Sequence, residues 1–349
     1  MTDWKSTAKE QGLPIIDGDQ VTFISSEPAE LVGDFNNWNN YGYGNYNLQP
    51  IAPDVWSQTI TLPRDAYIEY AFVRDGKRSA DPLNRRRVND GMGHINSYFW
   101  MPDAVDTPLA KAKRSVPRGS VLSYDVDTMG YMMDASRTIH LYDPPVDSPV
   151  PLLVVFDGSG YLRKAKLANI VDNSIASGRI HPIAMALVDP GGRGRTVEYA
   201  CSDTTTAFII KCVLPLAQRY LNLIDVEAQP ASYGLMGASM GGLMSIYIAL
   251  RAPELFGHVL CESGAFGADH LYYRSVIYDL IRYGARPTAK VWMDVGLHEW
   301  FLEPNRAMHK LLLERGCDAE YREHNSGHNY PSWRNSLWRG LEHLYGRKA

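Results

Sequence analysis

The chain has 349 residues, 45% of them hydrophobic and 21% charged, and a formal net charge of −4. That length suits two domains, and the balance of apolar and charged residues is that of a globular protein rather than a disordered one. A slightly acidic chain has no general attraction to nucleic acid or anionic membrane, and the one basic cluster, NRRRV at 84–88, is too short to reverse that.

Residues 1–100 read as short β segments. QVTFIS (20–25), AELVGDF (29–35), VWSQTITL (55–62) and YIEYAFVRDG (67–76) alternate apolar and polar residues and are rich in Val, Ile, Tyr and Phe. NNWNNYGYGNYN and DPLNRRRVNDGMG, between them, are turn-rich and hostile to helix. The pattern predicts a β-sandwich over 1–105, followed by a proline- and charge-rich linker at 106–120. From 121 to 349 strands alternate with helices. RTIHLYDPP, VPLLVVFDGSG, HPIAMALVDP, ASYGLMG, HVLCESG, AKVWMDVG and AEYREH are strands. AKLANIVDNSIASG, TTTAFIIKCVLPLAQRYL, MGGLMSIYIALRAP, EPNRAMHKLLLERG and SWRNSLWRGLEHLYG are helices. Such alternation predicts a mostly parallel sheet covered on both faces, with functional groups at the carboxyl ends of its strands.

The opening MTDWKSTAKEQGLP lacks the apolar segment of a secretory signal, and no stretch reaches the ~18 apolar residues of a membrane span, so a cytoplasmic location is expected. Cys201, Cys212, Cys261 and Cys317 show no CxxC spacing and read as scattered thiols rather than a disulfide framework.

GLMGASMGGL (234–243) sets Ser239 between small residues, after one apolar run and before another. A nucleophile elbow needs that arrangement, because its serine sits in a strained strand-to-helix turn. The plainer alternative is a small-residue turn with a serine N-cap. A serine needs a base, and in such folds the order is serine, acid, histidine. Downstream lie His258, His270, His298, His309, His324, His328 and His343. His328, in the loop NSGHNYP directly after the last strand, is the candidate base. His324 belongs to the strand body, and the Gly and Asn before His328 argue against a metal pair on one helical face. The acid is expected in AKVWMDVGLHEWFLEPNR. Glu299 is favoured because it lies in a loop; Asp294 sits inside the strand and Glu303 at a helix start. For the oxyanion, the Met240 N–H is one candidate donor and Ser159 or Gly160, in VVFDGSGY, the other. DPGGRGRTVEY puts Arg193 and Arg195 after a strand, where guanidinium groups could meet an anionic substrate; a solvated loop or an Arg195–Glu198 pair is the alternative.

GASMGGLMSIYIALRAPELFGHVLCESGAF, GLHEWFLEPNRAMHKLL and SGHNYPSWR resemble an esterase branch of the α/β-hydrolases that includes enterochelin (enterobactin) esterases, formylglutathione hydrolases, mycolyltransferases and feruloyl esterases. RTVEYACSDTTTAFIIKCVLPLAQ is similar to the segment before the elbow in the enterochelin-esterase group. AELVGDFNNWN and YAFVRDGKRSADPLNRRRVNDGMGHINSYFWMP resemble the early-set, immunoglobulin-like β-sandwich fused to starch and glycogen enzymes and to some esterases. The resemblance implies an α/β-hydrolase preceded by a β-sandwich, acting as a serine esterase on a small-molecule ester such as a catecholate siderophore. It calls for no metal and no organic cofactor, no nucleic acid and no membrane, and is compatible with a homodimer. The alternatives are a feruloyl or acetyl-xylan esterase whose sandwich binds glycan, and a glycan-binding protein with a relic hydrolase domain.

Overall fold

The computed structural model describes residues 12–42, 46–90, 93–266 and 274–347; His270 lies outside them. The chain divides into two compact units. One comprises Met1–Asp106 with Gly296–Trp300 and Glu323–Ser332, the other Thr107–Val295, Phe301–Arg322 and Trp333–Ala349.

The first unit carries β1 (Ile15–Asp17), β2 (Gln20–Ser25), β3 (Glu30–Gly33), β4 (Gln49–Ala52), β5 (Val55–Thr61), β6 (Tyr67–Arg74), β7 (Lys77–Ser79), β8 (Arg87–Asn89) and β9 (Ile95–Trp100). They form a sheet β1-β2-β5-β4 and a second, β3-β6-β9-β8, with β7 paired to β6. Alternation explains the packing. On β2, Val21 and Phe23 are fully buried while Thr22 bonds across to Thr59 on the outer face. Phe23 meets Tyr70 edge-on at 4.8 Å in a core shared with Leu31, Ile68, Phe72 and Phe99. Each such side chain contributes about 1.5–3 kcal/mol by leaving water. β6 departs from alternation: it is buried at every position from Tyr67 to Phe72, Glu69 included.

The turn-rich segment after β3 is more ordered than its composition predicts. Asp34–Gly42 forms a 3-10 stretch in which Asn37, Trp38 and Asn39 have φ of 49°, 59° and 56°. Asn tolerates the left-handed region, but Trp rarely enters it. Trp38 is held there by its Nε1–H, which donates to Asp34 Oδ1 at 3.1 Å, and by the Arg78 guanidinium 3.6 Å above its ring.

In the other part of the chain follow β10 (Ser120–Asp127), β11 (Ser136–Asp143), β12 (Leu152–Phe156), β13 (Ala184–Val188), β14 (Tyr233–Ala238), β15 (Phe256–Glu262), β16 (Lys290–Gly296) and β17 (Ala319–His324). The eight-stranded sheet runs β10-β11-β13-β12-β14-β15-β16-β17. β10 and β11 are antiparallel additions at one edge; β12 to β16 are paired in parallel. β10 is mostly exposed and is not among the strands expected from the sequence, although SVLSYDVD alternates apolar and polar residues from Leu122 onward. The helices are α1 (Gly158–Arg163), α2 (Leu167–Ala176), α3 (Arg195–Glu198), α4 (Asp203–Phe208), α5 (Leu214–Tyr220), α6 (Met240–Arg251), α7 (Arg274–Tyr283), α8 (Leu302–Glu314) and α9 (Tyr330–Tyr345). A π-helical segment, Ile209–Val213, divides what reads in sequence as one helix into α4 and α5.

A β-sandwich precedes an α/β-hydrolase sheet, as expected. Among the described residues all four cysteines are free thiols, and no single helix is long and apolar enough to cross a membrane.

Candidate active site

Ser239 stands where β14 turns into α6, at φ 58° and ψ −123°, and its side chain makes no capping hydrogen bond. Its small neighbours are a steric requirement. A Cβ on Gly237 would lie 2.5 Å from the Gly241 carbonyl carbon, and one on Gly242 would lie 2.7 Å from Cys261 Sγ. Backbone bonds fix the turn: the Ser239 N–H donates to Glu262 O at 2.9 Å, and Ser239 O accepts from Leu243 N–H and Ala265 N–H at 3.1 and 3.0 Å. Met240 is the first residue of α6, and the amides of a helix N-terminus carry a partial positive charge.

Glu262, which the sequence reading did not single out, and Asp294 are both fully buried and face each other across β15 and β16. Tyr161 donates its hydroxyl to Glu262 Oε2 at 2.7 Å. Asp294 Oδ2 accepts from Trp292 Nε1 at 3.0 Å and Ser336 Oγ at 2.9 Å. Burial, reinforced by the Asp294 charge, holds the Glu262 carboxyl well above the usual carboxylate range.

Glu299 and His328 belong to the first unit, and the structure brings them together. Glu299 Oε2 lies 2.5 Å from His328 Nδ1. Its other oxygen accepts the Gly296 N–H at 2.6 Å, and its side chain is 0% exposed against 12% for His328. Two backbone bonds join the segments that carry them: Leu297 N–H to His324 O at 2.8 Å and His298 N–H to Ser326 O at 3.1 Å. The Trp300 ring lies 5.1 Å from the imidazole. A cavity of about 80 Å³ opens beside His328, lined by Trp38, Arg78, Asp90, Asn96 and Trp300 among others. The two competing acids are engaged elsewhere: Asp294 inside β16, and Glu303 in an exposed pair with Arg306 at 2.6 Å. His324 bonds to Ser332 Oγ at 3.1 Å.

Two sets of expected residues make contacts within the chain. The amides of Ser159 and Gly160 are already used within the chain, by Asp189 Oδ1 at 2.6 Å and by Asp157 O at 2.9 Å. Asp157 adopts φ 57° and the chain enters α1 at once. Arg195 is partly buried and paired. Its Nε and Nη2 each contact one Asp157 oxygen at 2.6 Å. Nor does Arg195 pair with Glu198, whose partner is Arg137, at 2.8 and 3.0 Å and almost completely buried. Arg193 is exposed in the 3-10 turn Gly192–Gly194.

Comparison with known proteins agrees with this architecture. The family model described as putative esterase matches residues 131–344. An iron(III) enterobactin esterase of Dickeya dadantii is 27% identical over 329 residues, spanning 86% of this chain and 74% of that one. One from Escherichia coli K12 is 23% identical over 333 residues, with 86% and 82% covered. The crystal structure of the enterobactin esterase from Shigella flexneri in the presence of enterobactin gives a TM-score of 0.75 at 21% identity, covering 93% of this chain and 92% of that one. A ferulic acid esterase gives 0.55 at 15% identity, covering 65% and 98%. Since the family match runs through both the β14–α6 turn and the segment around His328, this chain belongs to the putative-esterase family and is an ester hydrolase of the α/β-hydrolase fold.

Proposed function

We propose that this protein is a cytoplasmic serine esterase that hydrolyses an ester of a catecholate siderophore through an acyl-enzyme. Ser239 Oγ attacks the ester carbonyl carbon. Nδ1 of His328 faces Glu299, so Nε2 is the nitrogen that takes the serine proton. The carbonyl oxygen becomes an oxyanion facing the Met240 N–H. Collapse breaks the ester C–O bond, and His328 returns the proton to the departing alkoxide. Water then repeats the sequence on the acyl-enzyme, with Glu299 keeping the imidazole in one tautomer and stabilising the imidazolium. Any iron would be cargo of the substrate.

The observation that carries the substrate class is the pair of iron(III) enterobactin esterases matched over 86% of the chain, a span that reaches into the N-terminal sandwich. The ferulic acid esterase covers a smaller share of this chain, 65%. The test is a side-by-side turnover assay on a catecholate triester and on feruloylated xylan fragments. Preference for the xylan fragments would overturn the siderophore assignment while leaving the esterase mechanism intact.

A further inference from the structure

The segment carrying His328 is gripped from outside the eight-stranded sheet. Residues 323–332 cluster with Met1–Asp106, and the sandwich holds the turn on both sides of the histidine. Before it, Asn325 O accepts the Tyr67 N–H at 3.2 Å and Asn325 Nδ2 donates to Asp65 Oδ1 at 2.6 Å. After it, Asn329 Nδ2 donates to Asp34 Oδ2 at 3.4 Å. Asp34 is 3% exposed and also accepts the Glu69 N–H at 2.8 Å and Trp38 Nε1–H at 3.1 Å. These donors leave its carboxyl group little freedom.

Gly327 rests directly against that group. A Cβ there would lie 2.2 Å from both Asp34 Cγ and Oδ1. The backbone at 327 lies outside the left-handed region, so it is the space occupied by Asp34, not an unusual dihedral, that requires glycine. Burial, then the Glu69 charge and more weakly the Glu299 charge, hold the Asp34 carboxyl well above the usual range. A buried acid costs stability unless something compensates, which makes a space-filling role alone a poor account of this residue.

We propose that Asp34 of the sandwich is a positioning residue for His328: its carboxyl group sets the backbone at Gly327 and Asn329, and through it the imidazole relative to Glu299. This deepens the serine-esterase reading and rests on it. The sandwich then acts on the chemistry itself, by holding the base, as well as on whatever the substrate contacts.

The test compares Asp34→Ala, Asp34→Asn, Gly327→Ala and Asp34→Ala/Gly327→Ala on a small neutral aryl ester, with Ser239→Ala in parallel and folding checked by Tm. A displacement of about 1 Å in a catalytic group costs up to ~100-fold, so Asp34→Ala should lower kcat by roughly 10- to 100-fold with KM unchanged. Asp34→Asn keeps the shape and one acceptor and should retain more activity than Ala. Gly327→Ala should be impaired by the clash, and the double variant should recover relative to Gly327→Ala because the atoms in its way are gone. A kcat equal to wild type in folded Asp34→Ala or Asp34→Asn would overturn the proposal, as would a double variant no better than Gly327→Ala. Should Asp34→Ala fail to fold, Asp34→Asn and Gly327→Ala decide by the same kcat and KM readout. An active Ser239→Ala would instead sink the serine-esterase reading, whatever the Asp34 variants do.

Discussion

Glu299 spans two tasks: one carboxylate oxygen is 2.5 Å from His328 Nδ1 while the other holds the Gly296 N–H at 2.6 Å. Gly296 ends β16, so the acid is anchored to the backbone where its own strand stops. There is no room for a larger residue at that point, since a Cβ on Gly296 would lie 2.1 Å from Ser326 O. The acid segment and the histidine segment therefore pack backbone to backbone, and the side-chain pair is held by that contact rather than by its own attraction alone.

Replacing Glu299 by Gln should lower kcat roughly 10²- to 10⁴-fold, because an amide can favour the wrong histidine tautomer. Glu303→Gln breaks only an exposed pair with Arg306 and should leave kcat close to wild type. Steady-state kinetics on an aryl ester checks both; a silent Glu299→Gln would remove that residue from the mechanism.

Ser239→Ala should abolish turnover while the protein stays folded, with a loss on the order of 10⁴ to 10⁶ in kcat. Loss of covalent labelling by a fluorophosphonate should accompany it. A folded variant that keeps several per cent of activity would show that the β14–α6 serine is not the nucleophile.

Arg193 and Arg195 should behave differently. Arg193 is exposed, and Arg193→Ala should raise KM for a ferric catecholate more than for a neutral aryl ester, the difference shrinking as salt screens the charge. Arg195→Ala removes the partner of Asp157 and should lower Tm and affect both substrates alike. Equal effects of Arg193→Ala on the two substrates would argue against electrostatic recognition of the catecholate.

Glu69 provides a pH test of the sandwich. Burial raises its carboxyl pKa to about 7, against the partial opposition of hydrogen bonds from Asn96 and Tyr67. A folded pKa above the unfolded one stabilises the protein at low pH. The contribution is complete below the ordinary carboxyl value and is lost as pH rises toward about 7. The Tm should therefore fall across that window, and Glu69→Gln should flatten part of the fall. A Tm–pH curve for the variant parallel to wild type would contradict the assignment.

Apolar periodicity and glycine spacing alone determine the strand-to-helix turn at Ser239 and which segments supply the parallel strands, because these are local consequences of burial and steric limits. Loop position likewise singles out His328 and favours Glu299. Other features depend on residues distant in sequence. β10 needs β11 to be a strand at all. The amides of Ser159 and Gly160 are taken by acceptors that only the folded turn brings to them. Arg195 finds Asp157, 38 positions away, because α3 and the end of β12 meet in space. Asp34 reads in sequence as one polar residue near the end of the β segment AELVGDF, yet it touches the segment that carries His328. That relation spans 295 positions and no local pattern encodes it; it exists only once the chain has folded back on its first strands.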